Sequence, residues 1–236
     1  MSETSDASIA IAQVRAAASA GDIAAQALYA QMLSEGRGLA PDPVEALHWH
    51  TLAANSGDAA AMNMVGRCNE LGCGTRVNLE LAAAWYRKSA RSGFDWGMYN
   101  YAGLLAKGRG VKADRKRAFA LYKRAAELGH AKSMNMVGRY YDEGWEVERD
   151  AALAQVWYRK SAIGGDFRGQ TSYASILAQR GDVAAAAEWL RRAAATATPA
   201  FLERLAGDLM RAPHALLREV AAEMRERLSR GERASV

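Results

Sequence analysis

Small and apolar residues return along this chain at a helical spacing, and the pattern restarts every 36 residues. With Gly21, Gly57, Gly93, Gly129 and Gly165 each counted as a first position, the fifth residue is small and the ninth is aliphatic or tyrosine. The tenth is Ala30, Gly66, Ala102, Gly138 or Ala174. Residues so spaced share one side of a helix, so each glycine predicts the entry to an amphipathic helix. A glycine turn follows in "EGRGL", "LGCGT", "KGRGV" and "EGWEV". Asp42, Asn78, Asp114 and Asp150 come next, each placed to accept from the free N–H groups of a second helix. In "DPVEA", Asp42 reads as the cap, Pro43 suits the first helical position and Glu45 completes a capping box.

The second helix carries a stripe of its own. Trp49, Trp85, Trp157 and Trp189 recur at one position, with Leu121 standing in once. Core packing between adjacent helices accounts for such a stripe better than a ligand cage does. Small pairs such as Ser89-Ala90 and Ala125-Ala126 predict close helix approach. The fifth unit is four residues shorter, and its "QRGDVA" link has lost the glycine turn on this reading. One helical segment before Gly21 and two after Thr198, each of these two with a proline start, would close the ends of the stack. The closing "SRGERASV" is expected to be frayed.

The pattern of Gly, Gly/Ala, G-x-G, Asp, Trp-Tyr and a basic pair resembles the Sel1-like repeat, a relative of the tetratricopeptide repeat with a longer loop. The resemblance implies an all-α, right-handed superhelical α/α solenoid. Its division would be an N-terminal tail and capping helix over 1–20, repeats over 21–56, 57–92, 93–128, 129–164 and 165–198, and C-terminal capping helices with a tail over 199–236. It also implies a bacterial protein-interaction scaffold. Three positions depart from the family pattern: Asn69, Glu146 at the second turn glycine, and Leu121. The runs "DWGMYNYAGLLAKGRGV" and "GHAKSMNMVGRYYDEGW" resemble a proteobacterial subgroup associated with iron uptake. That likeness implies an iron(II)/2-oxoglutarate hydroxylase, or its substrate, as partner.

Composition narrows the function without naming it. The chain of 236 residues is 50% hydrophobic, with a net charge of +5 and two cysteines, Cys68 and Cys73. No secretory leader and no apolar run of bilayer length is visible, so a cytoplasmic location and a reducing compartment are expected. The sequence lacks H-E-x-x-H, C-x-x-C, the phosphate loop and G-x-S-x-G, so no enzyme, cofactor or metal site is expected. His48, His50, His130 and His214 do not cluster.

The hexapeptide MNMVGR occurs at 62–67 and again 72 residues later. Assigning Val65 and Gly66 inward turns Asn63, Arg67 and Glu70 outward, and likewise Asn135, Arg139 and Asp142. Trp96, Tyr99 and Asn100 stand between the two sets in sequence. Asn can pair both groups of a peptide bond, Arg can clamp a carboxylate, and the aromatics would supply an apolar anchor. With neighbouring helices ~8–10 Å apart, the two triples should stand roughly 20–40 Å apart. An extended peptide of about 6–12 residues would reach both at ~3.3 Å per residue. These nine residues are the expected partner-binding face. The competing readings are shared ancestry and surface ion pairs at i, i+3. The basic pairs Arg87-Lys88, Lys123-Arg124, Arg159-Lys160 and Arg191-Arg192 form a ridge on the second helices. Binding of nucleic acid or an anionic surface there is the alternative function.

Overall fold

The computed structural model describes residues 3–231, with side chains from residue 8. Among the described residues there are thirteen α-helices and no strand. They are α1 (Glu3–Ser19), α2 (Ile23–Glu35), α3 (Pro43–Asn55), α4 (Ala59–Leu71), α5 (Leu79–Arg91), α6 (Asp95–Lys107) and α7 (Arg115–Glu127). Then follow α8 (Ala131–Glu143), α9 (Ala151–Ile163), α10 (Phe167–Gln179), α11 (Val183–Thr196), α12 (Pro199–Leu209) and α13 (Ala215–Ser229). Of the tail expected to fray, Ser229 closes α13, and residues 232–236 lie outside the described residues. Two compact units divide the chain between Leu121 and Tyr122, within α7.

In the first unit, α2 packs on α3 and α4 on α5 as hairpins; α1 packs on α2, α3 on α4, and α5 on α6. In the second, α8 and α9 pair, as do α10 and α11; α9 packs on α10, and α13 packs on both α11 and α12. First helices of neighbouring repeats also touch, α4 on α6 and α8 on α10. Alanines such as Ala46, Ala53, Ala82, Ala154, Ala186 and Ala187 are buried at these seams, where a small side chain lets helices approach closely. The aromatic stripe divides its labour differently from expectation. Tyr86 and Tyr158 are buried, while the tryptophans before them are only half-buried, because adjacent helical positions are rotated about 100° apart.

Capping follows the sequence closely at the second helices. Asp42, Asn78, Asp114 and Asp150 each accept from a backbone N–H in the first turn of the following helix. Glu45 does not close a capping box, because Asp42 N–H donates to Leu33 O and Glu45 accepts from Trp49 Nε1 instead. The first helices carry caps of their own at Asp22, Asp58, His130 and Asp166. Pro199 opens α12, but Pro213 stands one residue before the His214 cap of α13.

Seven residues join the helices within each of the first four repeats, and three join successive repeats. The first turn glycines, Gly36, Gly72, Gly108 and Gly144, are left-handed at helix C-termini. The second turn position is left-handed too, Gly38, Gly74, Gly110 and Glu146, and the backbones of Gly74 and Gly110 lie on the first turn of the preceding repeat's second helix. A Cβ on Gly74 would stand 2.0 Å from Pro43 O, and one on Gly110 2.2 Å from the Leu79 carbonyl carbon. Repeat five breaks this scheme. The expectation that its link had lost a glycine turn is corrected in form: Arg180-Gly181-Asp182 is a three-residue turn with Gly181 at φ 86°, the kind found between repeats. The seven-residue loop is what is missing.

Candidate functional site

The repeated hexapeptide is first a packing device. Gly66 lies under the Tyr86 ring and Gly138 under the Tyr158 ring, where an added Cβ would come within 2.6 and 2.7 Å of ring carbons. The tyrosine hydroxyls then reach the acidic residue one turn on. Tyr86 donates to Glu70 Oε2 at 2.9 Å and Tyr158 to Asp142 Oδ2 at 3.3 Å. Burial, then the neighbouring carboxylate, pushes both phenols well above the usual tyrosine range, which keeps them protonated donors.

The outward assignment of the two asparagines is corrected. Asn63 is 5% and Asn135 4% exposed. Each faces the first helix of the next repeat: Asn63 Oδ1 accepts from Asn100 Nδ2 at 2.8 Å, and Asn135 Oδ1 from Ser172 Oγ at 3.4 Å. A buried amide must find partners, and the neighbouring helix supplies them. Asn100 is thereby part of a helix seam. The i, i+3 ion pairs do not form either, since Glu70 is held by Tyr86 and by Arg109, whose guanidinium lies 3.2 Å away.

What stays open on the first helices is a smaller set. Arg67 and Arg139 are exposed, the latter with its guanidinium 5.1 Å from the Trp145 ring centre. Trp96 and Tyr99 are half-buried and meet edge to face at 6.3 Å. In the second unit, α10, the start of α9 and the end of α8 border a groove of about 630 Å³. Asp142, Tyr158 and Ser172 contribute to its wall, with Ser175, Arg149 and Arg180 also lining it. Arg149 Nε donates to the Asp142 carbonyl at 2.8 Å, and Arg180 to Gln155 Oε1 at 2.5 Å. Of the expected site only Asp142 falls in this groove. Ser172, Ser175, Arg149 and Arg180 were missed, and the shortened turn of repeat five was the available signal.

The other candidate groups have quieter roles. Lys88 stacks on Trp85 at 4.0 Å, Lys160 on Trp157 at 4.6 Å and Arg192 on Trp189 at 4.6 Å. These cations cover aromatic faces that nucleic-acid bases would need. His48 meets Trp49 edge to face, while His50 is 3% exposed with neither ring nitrogen hydrogen-bonded. Burial lowers the His50 pKa to about 4, against a smaller opposing pull from Asp58. Cys68 is buried, its thiol pushed up chiefly by burial, and Cys73 is exposed. Among the described residues no three His, Cys, Asp or Glu side chains group to hold a metal, and no helix is long and apolar enough to cross a membrane.

Comparison with known proteins places these features in context. A family model described as Sel1 repeat matches residues 23–58, 59–94, 97–130, 131–166 and 177–195. Among solved structures, a Sel1 repeat protein from Oxalobacter formigenes is 24% identical, with a TM-score of 0.76 over 94% of this chain and 100% of that one. The protective antigen c5321 of uropathogenic Escherichia coli, which displays an SLR fold, is 27% identical with a TM-score of 0.71. That match covers 94% of this chain but 48% of the antigen. The immunity protein Pa5087 from Pseudomonas aeruginosa is 13% identical, with a TM-score of 0.60 over 88% of this chain and 81% of that one. A comparison with curated protein sequences gives no match.

Proposed function

The chain belongs to the Sel1 repeat family, whose repeats generally mediate protein–protein interaction and are typically non-catalytic scaffolds, and we propose that this member is an adaptor holding a protein or peptide segment on the open side of its first helices. The groove of about 630 Å³ beside α10, between the end of α8 and the start of α9, is the observation that carries this reading. Its wall offers a carboxylate at Asp142, hydroxyls at Ser172 and Ser175, and guanidinium groups at Arg149 and Arg180. Together they can accept from and donate to a peptide backbone and its side chains. In the first unit, exposed Arg67 and the half-buried Trp96–Tyr99 pair supply a polar contact and an aromatic anchor of the kind that concentrates binding energy. The likeness of two runs to iron-uptake-associated relatives names the first partners to try, an iron(II)/2-oxoglutarate hydroxylase and its substrate.

A photo-crosslinking residue placed at Ser175 or Arg67 tests the reading in cells, with Val156 and Arg159 on second helix α9 as controls. Discrete protein adducts are expected from the first pair and not from the controls. Adducts from the controls alone would move the partner surface to the second helices. Adducts to nucleic acid from Arg159 would select the basic ridge.

A further inference from the structure

The first unit shows what the groove of the second unit lacks. The seven-residue loop after α6 does two things there. Arg109 reaches Glu70, and Gly110 lays its backbone against Leu79 and Glu80 at the start of α5. Each of these partners has a counterpart 72 residues on: Glu70 becomes Asp142, and Leu79 and Glu80 become Ala151 and Ala152. The counterpart of the loop is absent, because α10 ends at Gln179 and α11 begins at Val183 after three residues.

The consequences are visible around the groove. Ala151 and Ala152 line it. Ile176 is half-buried and lines it too, where its counterpart Leu104 is 2% exposed. Asp142 has the tyrosine partner that Glu70 has, but among the described residues no cation stands in an ion pair with it. The groove therefore lies where a Gly-Arg-Gly loop sits in the first unit, with its acidic contact and its backbone shelf still in place.

We propose that this berth receives, from a partner protein, a turn of the type Gly-Arg-Gly. The partner's arginine would take the place of Arg109 and pair with Asp142, and its second glycine would lie on Ala151–Ala152. An arginine on a carboxylate already hydrogen-bonded by a buried tyrosine is a charge-assisted contact with fixed geometry. Glycine is required because a side chain would strike the helix N-terminus, as it would at Gly110. The inference rests on the first-helix face being the partner surface.

The probe is the chain's own loop as a free peptide, KGRGVKAD (residues 107–114), labelled and titrated with the full chain while anisotropy is followed. Saturable binding is expected, weakened about tenfold or more when the peptide's arginine is replaced by alanine or the chain carries Asp142→Asn. A third variant replaces Arg180-Gly181-Asp182 with GRGVKAD, refilling the berth in cis. It should no longer bind the peptide, and it should melt higher than a control carrying GSGSGSG at the same place. No saturable binding, or binding indifferent to the arginine and to Asp142, overturns the inference. If the refilled chain still gives the wild-type adducts from Ser175, the berth is unused while the adaptor reading stands. Loss of adducts from wild-type chain would instead remove that reading itself.

Discussion

At the residue scale, the absence of one methyl group organises the even repeats. Gly138→Ala would press a Cβ onto the Tyr158 ring at 2.7 Å and should cost about 1–3 kcal/mol. Repeat five shows the alternative solution, Ala174 and Leu190 in one buried cluster. Gly138→Ala combined with Tyr158→Leu should therefore recover part of the loss. Urea titration of both single variants and the double would expose this as a favourable coupling energy, and strict additivity would refute the pairing. His50 occupies the position of Leu190 in repeat one and carries a different cost. Its pKa of about 4 lies below the ordinary 6.5, so as pH falls the unfolded chain takes up the proton first. Its contribution is complete above pH 6.5 and is lost as pH falls toward 4, by about 3 kcal/mol in all. His50→Leu should flatten that acid limb in urea titrations from pH 7.5 to 4. It should also stabilise the chain by about 1 kcal/mol at neutral pH, because it removes two buried ring nitrogens without partners. The site was less legible than the fold at this scale. Asn63 and Asn135 fall outward on a helix with a single buried side, but α4 is covered by α3, α5 and α6 together, which leaves a much narrower open stripe.

At the element scale, the loop within each of the first four repeats has two left-handed residues, and in repeat four one of them is not glycine. Glu146 has φ 56°, where Gly38, Gly74 and Gly110 have 76°, 70° and 64°. A left-handed residue with a Cβ costs roughly 1–2 kcal/mol, part of which glycine returns as chain entropy in the unfolded state. Glu146→Gly should therefore stabilise the chain by about 0.5–1 kcal/mol. The reverse change, Gly110→Ala, meets the Leu79 backbone at 2.2 Å as well as the strained φ, and should cost several times as much. Thermal melts of the two variants beside wild type check both signs. Such loops explain why the fold could be read from sequence: glycine and the capping Asp or Asn are demanded by backbone geometry, which repeats at 36 residues whatever the neighbours are. The groove could not be read the same way. It arises from four residues that are missing, and only the three-dimensional counterpart in the first unit shows what those residues would have covered.

At the scale of the whole molecule, hairpins that touch only their neighbours make stability a local sum. The C-terminal end shows this most clearly. Leu202, Leu205, Val220 and Met224 of α12 and α13 complete a cluster with Leu190, Ala186, Ala187 and Ala194 of α11. Phe201 meets Phe167 of α10 edge to face at 4.8 Å, and Glu223 receives two bonds from Arg191 at 2.8 and 2.7 Å. The exposed ion pair adds little on its own; the apolar seam is what α11 cannot replace. Ending the chain at Thr198 would return Leu190, Ala194 and Phe167 to water. At about 1.5–3 kcal/mol for each large side chain re-exposed, the last hairpin would lose most of its hold. Hydrogen exchange should then show α10 and α11 losing protection by about a hundredfold or more, while α2 to α5 exchange as in the full chain. Uniform loss over every helix would mean that the repeats fold as one cooperative block. In the local regime the groove, bordered by α10, is only as rigid as α12 and α13 make it, so the truncation would loosen the wall formed by Ser175, Ile176 and Arg180 without removing any residue that lines it.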